Sequence, residues 1–210
     1  VPLVMLTVHG SYLASPFWDE MHSRKTKMSA RLELVYGKDE IDRLSADKIQ
    51  KTIEEKLSYD EYQWQLDNKV KITYPKRAEG LHKPLYRCRK CNVEGSMKSE
   101  GIKLWCDNCK AAWSMNEYGQ LLYQKSGTKA EGKCMEKAEI NEVPEMIHIP
   151  DWYNWERNLV KEAVCANQYQ GIEVPVTIEA LPNEKGFVPL GTGRLIHNMD
   201  GYTLYLDDEN

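Results

Sequence analysis

Cys88-Arg89-Lys90-Cys91 and Cys106-Asp107-Asn108-Cys109, separated by fourteen residues, are the stretches on which the reading of this 210-residue chain turns. Each C-x-x-C forms a tight knuckle, and fourteen residues suffice for a hairpin that brings two knuckles together. Four thiolates then surround one ion tetrahedrally at ~2.3 Å, the closed arrangement of a structural zinc site. The flanks agree. Leu85-Tyr86-Arg87 and Lys103-Leu104-Trp105 are strand-like leads into each knuckle, and Asn108 and Lys110 suit its turn. Asn92 to Gly95 and Ser99 to Gly101 provide the bends between. A closed four-cysteine shell leaves no position for water or substrate, so the metal contributes folding energy rather than catalysis. Iron in a rubredoxin-like site uses the same ligands, and a dithiol redox pair is the third reading.

Outward from the cysteines, composition limits the classes available. The chain carries a net charge of −4, with 41% hydrophobic and 29% charged residues and a mean hydropathy of −0.63. This excludes a collagen, a disordered tail and a generally basic nucleic-acid binder. No stretch approaches the ~20 apolar residues of a membrane-spanning helix. Val1 to Val8 lacks the basic flank and cleavage site of a signal peptide. Paired C-x-x-C without a secretion signal points to metal in a reducing cytosol. Cys134 and Cys165 have no obvious partners and read as incidental.

Residues 1–75 read as α/β. Leu3 to Val8 is a near-continuous apolar run, as in a strand buried on both faces, and Gly10 ends it. Ser15 is placed to cap a short helix with Pro16 at its first position. Met28 to Tyr36 alternates as a second strand. Ser45 caps a helix with Ile49, Ile53 and Leu57 on one face, and Ser58-x-x-Glu61 matches a capping box before Tyr62 and Leu66. Both apolar stripes read as core packing. Residues 76–124 form the ribbon, residues 125–150 a linker, and residues 151–210 a helix plus part of a β-rich domain. Asp151 caps that helix, which carries Trp152, Trp155, Leu159 and Ala163 on one side. Val174–Ile178, Arg194–His197 and Tyr202–Leu206 are strand-like, the last two forming a hairpin. Gly191-Thr192-Gly193 reads as a turn.

From Lys76 to Trp113 the local charge is +5, and a zinc centre with four thiolates reduces it to about +3. Trp105, Trp113 and Tyr86 are of a type to stack on bases, or to form the ribbon's own core. The rest of the chain is acidic, which argues against nucleic acid, and anionic lipid head groups fit the same basic segment. His9 stands after a strand, where α/β proteins bind ligands. No acid, base and nucleophile cluster in sequence.

The order of features resembles the end of the acyltransferase domain in the glycerol-phosphate acyltransferase superfamily, which includes 1-acyl-sn-glycerol-3-phosphate acyltransferases. The residues concerned are Val1-Pro2-Leu3-Val4, Gly10 after the strand, the second strand, and Ser45-x3-Ile49 in a helix. The opening is similar to the family's fourth conserved block, with Met5 near its second proline. Further segments resemble bacterial members that carry a zinc ribbon: Arg77 to His82, His148 to Arg157, and Gly186 to Gly191. The resemblance spans nearly the whole chain. It implies acyl transfer from acyl-CoA or acyl carrier protein to a glycerol-phosphate hydroxyl or lysophospholipid, at a membrane lipid surface.

In that family a histidine of H-x-x-x-x-D is the general base and E-G-T-R holds the phosphate. Neither occurs here. Ala14, Lys27, Arg87, Tyr153 and Tyr202 stand five residues after the five histidines. Glu79-Gly80-Leu81-His82 and Glu94-Gly95-Ser96-Met97 are not E-G-T-R. Both blocks precede the fourth one in the family, so the expectation is a C-terminal fragment, inactive alone. It would be cytoplasmic and peripheral on the inner face of the membrane. No catalytic or cofactor-binding residue is assigned; the metal ligands are Cys88, Cys91, Cys106 and Cys109. The competing reading is a zinc-ribbon adaptor for nucleic acid or a protein partner.

Overall fold

The structure, a computed structural model, describes residues 1–20, 22–124, 143–182 and 185–207. The fold is mixed and β-rich: helices with three antiparallel sheets. Two compact units form, Val1–Asn154 and Trp155–Asn210.

The first unit opens with β1 (Leu3–His9), followed by α1 (Ser11–Ala14) and a single 3-10 turn, Phe17–Asp19. Pro16 caps that turn, so the short helix expected with Ser15 as cap is present as a 3-10 turn starting one residue later, and Ser15 instead closes α1. β2 (Ser29–Tyr36) pairs antiparallel with β1, Leu6 opposite Leu32 and Val8 opposite Ala30. The register separates two faces. Met5, Thr7 and Glu33 look inward, whereas Val4, Leu6, Val8, Ala30, Leu32 and Leu34 all lie exposed. The strand expected to be buried on both faces is therefore covered on one.

After the short α2 (Lys38–Ile41), α3 (Ala46–Leu57) starts where Ser45 Oγ accepts the Lys48 N–H at 3.3 Å, as the capping pattern predicts. It ties to the inner face of the sheet through Lys56 to Glu33 at 2.6 Å and Thr52 to Tyr36 at 2.8 Å. Its apolar stripe is only partly core: Ile49 and Ile53 are half-buried and Leu57 is exposed. α4 (Glu61–Asp67) is capped by Asp60, not Ser58. The Asp60 carboxylate accepts the N–H groups of Tyr62 and Gln63 at 2.8 and 3.0 Å, while the Ser58 N–H is already engaged in closing α3.

Five strands make the second sheet: β3 (Met97–Glu100), β4 (Lys103–Cys106), β5 (Ala112–Met115), β6 (Gln120–Gln124) and β7 (Met146–His148), paired in that order. The last of these corrects the expectation of a linker to residue 150, because Ile147 pairs with Leu121 and is buried. The rest of that expected linker, 125–142 with Cys134, lies outside the described residues. α5 (Ile149–Cys165) follows directly, with Asp151 in its first turn rather than at its cap. Alternation directs Met97, Leu104, Trp113, Met115, Leu121 and Ile147 inward, all buried. Trp113 meets Trp152 edge to face at 4.8 Å, and both are fully buried.

The α-helical segment and this sheet share one core. Gln65 Nε2 donates to the carbonyls of Val70 and Glu117, at 3.0 and 3.1 Å, and the Ile72 N–H donates to the same Glu117 carbonyl. Gly80, at φ +83°, lies so close to Trp18 that a Cβ there would meet the Trp18 carbonyl oxygen at 1.9 Å.

The second unit holds β8 (Ile172–Ala180), β9 (Val188–Asn198) and β10 (Gly201–Leu206), in the order β10-β9-β8. All three expected strands are present, and β9 and β10 form the hairpin around Met199-Asp200. Gly191-Thr192-Gly193 is not a turn: it lies inside β9, beside the register shift between Ile178 and Glu179. Gly193 is required there because a Cβ would meet the Tyr205 carbonyl at 2.1 Å.

Candidate metal centre

Backbone hydrogen bonds build the two knuckles alike. In the first, the Cys88 N–H donates to the Val93 carbonyl at 3.0 Å and the Asn92 N–H to the Cys88 carbonyl at 2.9 Å. In the second, Cys106 N–H to Ala111 and Lys110 N–H to Cys106 repeat the pair, both at 2.9 Å. Asn92 and Lys110 turn the chain in the left-handed region. Gly101, also left-handed, joins β3 to β4, which delivers Cys106 opposite Met97.

The outcome is that all four predicted ligands converge. Their sulfurs lie within 4.8 Å of one another, with Cys88 to Cys109 at 3.6 Å and Cys91 to Cys106 at 3.7 Å. Four sulfurs bonded to one central ion at about 2.3 Å would be separated by about 3.8 Å along each tetrahedral edge. The two crossed pairs match that spacing, and all four cysteines are free thiols. Cys88 and Cys106 are buried, while Cys91 and Cys109 are half-buried. The arrangement can hold one metal ion.

Electrostatics distinguish the four. Burial pushes the Cys88 thiol far up and the Cys109 thiol up to about 11. Burial also raises Cys91, but the Asn108 side chain, the Val93 N–H and neighbouring thiols outweigh it and bring this thiol down to about 7. Asn108 Nδ2 donates to Cys91 Sγ at 3.5 Å, and the Lys90 N–H donates to Cys88 Sγ at 3.4 Å. Such N–H donors stabilise thiolate and fix its orientation toward a metal. Asn108 is assigned from its position in the turn by sequence; its donation to sulfur becomes visible only in three dimensions.

Trp152 Nε1 donates to the Arg87 carbonyl at 3.0 Å, clamping the segment that enters the first knuckle, where the expected strand-like lead is reduced to a single bridge between Arg87 and Glu94. Of the three aromatic residues weighed as base-stacking groups, Trp113 is core, and Trp105 and Tyr86 are half-buried. The Trp105 indole donates to Asp107 at 3.1 Å. His82 lies outside the cluster, its Nδ1 2.8 Å from Ser99 Oγ, and burial holds its imidazole below the ordinary value. His9 stacks on Trp64 with ring centroids 5.4 Å apart. Among the described residues no other cluster of three or more His, Cys, Asp and Glu side chains is placed to hold a metal, and no helix is long and apolar enough to cross a membrane. Compared with protein-family models, with curated protein sequences and with solved structures, the chain matches none of them.

Proposed function

We propose that the four cysteines hold one structural zinc ion, and that the chain is the ribbon-bearing part of a glycerol-phosphate-type acyltransferase of phospholipid synthesis. The observation that carries the zinc reading is the sulfur spacing of 3.6 and 3.7 Å within a closed shell of four thiols. Bound there, zinc supplies folding energy, of the order of 10–16 kcal/mol in small zinc modules at neutral pH. With every coordination position filled by sulfur, it offers no site to water or substrate. Cys88, Cys91, Cys106 and Cys109 are its ligands, and Asn108 and the Lys90 amide orient two of the sulfurs.

The acyltransferase reading is supported by the aliphatic strand ending in Gly10 and by the segments Arg77 to His82, His148 to Arg157 and Gly186 to Gly191. In this reading the general base and phosphate-binding arginine are supplied by polypeptide other than these 210 residues. The chain alone transfers no acyl group, and acyl transfer to lysophosphatidic acid by the purified chain would refute the assignment. An upstream reading frame with H-x-x-x-x-D and E-G-T-R supports it. The ribbon's solvent side carries Lys98, Lys103 and Trp105 on paired strands, with Glu100 opposite Lys103, and the net positive charge that remains suits an anionic head group at the inner membrane face.

The same three residues support a second reading, an adaptor that binds nucleic acid. Salt-titrated liposome co-sedimentation set against an RNA shift assay separates the two: head-group binding predicts sedimentation, and the adaptor predicts the shift.

A further inference from the structure

A small cavity of about 10 Å³ lies in the first unit, where the helical segment meets the ribbon. It is lined by Trp18 of the 3-10 turn, by Tyr62 and Gln65 of α4, and by Gly119 in the turn between β5 and β6. Trp18, Tyr62 and Gln65 are only 2%, 6% and 1% exposed. Each nevertheless carries a buried polar atom without a geometrically sound hydrogen bond to the protein: Trp18 Nε1–H, the Tyr62 hydroxyl and Gln65 Oε1. The Tyr62 hydroxyl has that of Tyr12 as a neighbour. Gln65 is satisfied at its other end alone, where Nε2 serves the carbonyls of Val70 and Glu117. Buried polar groups in folded proteins almost always find a partner, so three around one cavity call for a ligand.

Gly119 keeps the place of that ligand free. A Cβ at this position would lie 3.0 Å from Gln65 Oε1 and 3.1 Å from Tyr62 Cδ1. The glycine thus leaves open a point at hydrogen-bonding distance from the amide oxygen, where any other residue would put a methylene or methyl group.

The chemistry of the lining selects the occupant. The indole N–H can only donate, the amide oxygen can only accept, and the phenol can do either. A cation gives the indole no acceptor, and an anion gives the amide oxygen no donor. Two guanidinium groups also line the cavity, but both are engaged with the protein: Arg24 with Asp19, and Arg77 with the carbonyls of Met115, Asn116 and Tyr74. A cavity of this volume takes one water molecule, which needs about 10–15 Å³ and two to four polar partners.

We propose that the cavity is a binding site for one structural water, which accepts from Trp18 Nε1–H, donates to Gln65 Oε1 and shares a hydrogen bond with the Tyr62 hydroxyl. Through Gln65, this water links Trp18 to the β5–β6 turn, so the ribbon and the helical segment are joined by solvent as well as by protein. The site is independent of the acyltransferase assignment.

Two measurements on the metal-loaded 210-residue chain test it. A high-resolution crystal structure shows one isolated density peak within about 3.2 Å of both Trp18 Nε1 and Gln65 Oε1. Oxygen-17 magnetic relaxation dispersion counts long-lived internal waters, and Gly119→Ala, which puts a methyl group at the water's position, lowers that count by one. A cavity without density overturns the proposal, as does a peak whose height follows the bromide concentration of the crystal. A folded Gly119→Ala variant that keeps the full count overturns it as well. If that variant does not fold, the density at the cavity decides alone.

Discussion

Asn92 and Lys110 occupy the same left-handed backbone position, with φ of 60° and 59°, each one residue beyond the second cysteine of its knuckle. The two halves of the metal centre are therefore built on one local geometry. They differ in how well the residue at the turn tolerates it. Asparagine visits this region readily, whereas an ordinary L-residue such as lysine pays about 1–2 kcal/mol. Lys110→Gly accordingly raises stability by about 1 kcal/mol after glycine's own entropy cost. Asn92→Gly changes it by less than about 0.5 kcal/mol. Urea unfolding of the metal-loaded proteins measures both.

Removing a ligand removes the fold around it. Cys88→Ser and Cys106→Ser are expected to abolish stoichiometric metal binding and the near-ultraviolet signal of Trp113 and Trp152, which are packed together behind the knuckles. Cys165→Ser, at an exposed position on α5, leaves one metal per chain. Elemental analysis distinguishes zinc from iron, and a red thiolate absorption band would identify iron.

The loaded and metal-free proteins part in their response to pH above 9. Metal binding requires thiolates, so protons compete with it and the loaded protein loses stability as pH falls. Without metal, Cys88 and Cys109 have pKa values raised above the ordinary 9.0 by burial. Their contribution is full below that value and is lost as pH rises through it toward 11 and beyond, because the unfolded chain ionises first. Cys91, lowered to about 7, acts in the reverse sense in a separate window: its contribution is full above 9.0 and is lost as pH falls toward 7. The metal-free protein therefore gains stability from about pH 7 to 9 and loses it above 9. Urea midpoints from about pH 6 to 11, with and without chelator, report this maximum. A metal-free protein whose stability keeps rising above about pH 9 would contradict this account of the site.

Glycine is needed at Gly80 for a different reason than at Gly95. Both have positive φ, 83° and 69°, but a Cβ on Gly80 would strike the Trp18 carbonyl, whereas nothing lies within 4 Å of one on Gly95. Gly95→Ala carries only the conformational cost of about 1 kcal/mol. Gly80→Ala adds a backbone clash and exceeds about 3 kcal/mol. The difference appears directly in denaturant midpoints.

Trp152→Ala is expected to cost about 3–5 kcal/mol, as for other large core truncations. Trp152→Phe retains most of the packing and loses the hydrogen bond to the Arg87 carbonyl, costing about 1–3 kcal/mol. If that bond sets the first knuckle, the phenylalanine variant also weakens metal affinity in a chelator competition.

Legibility in sequence followed the range of the interactions. The metal ligands were readable because C-x-x-C spacing encodes a local turn twice, and the Ser45 cap and the Met199-Asp200 hairpin are equally local. β7 was not readable: Met146-Ile147-His148 carries no strand pattern and owes its conformation to pairing with β6. Ser58 matched a capping motif, but its N–H was already committed to α3, leaving Asp60 to open α4. The bare face of β1 escaped sequence reasoning because an apolar run looks the same whether one side or both are covered.

Gln65 carries a consequence for where this chain can be divided. Its one side-chain amide fastens α4 both to Val70 and to the Glu117 loop between β5 and β6. Separating the ribbon from α4 would leave one N–H of this buried amide without its acceptor in that loop, at a cost of about 1–3 kcal/mol. The four-cysteine ribbon and the helix before it are therefore one packing unit, and a boundary drawn between them would cut through the core.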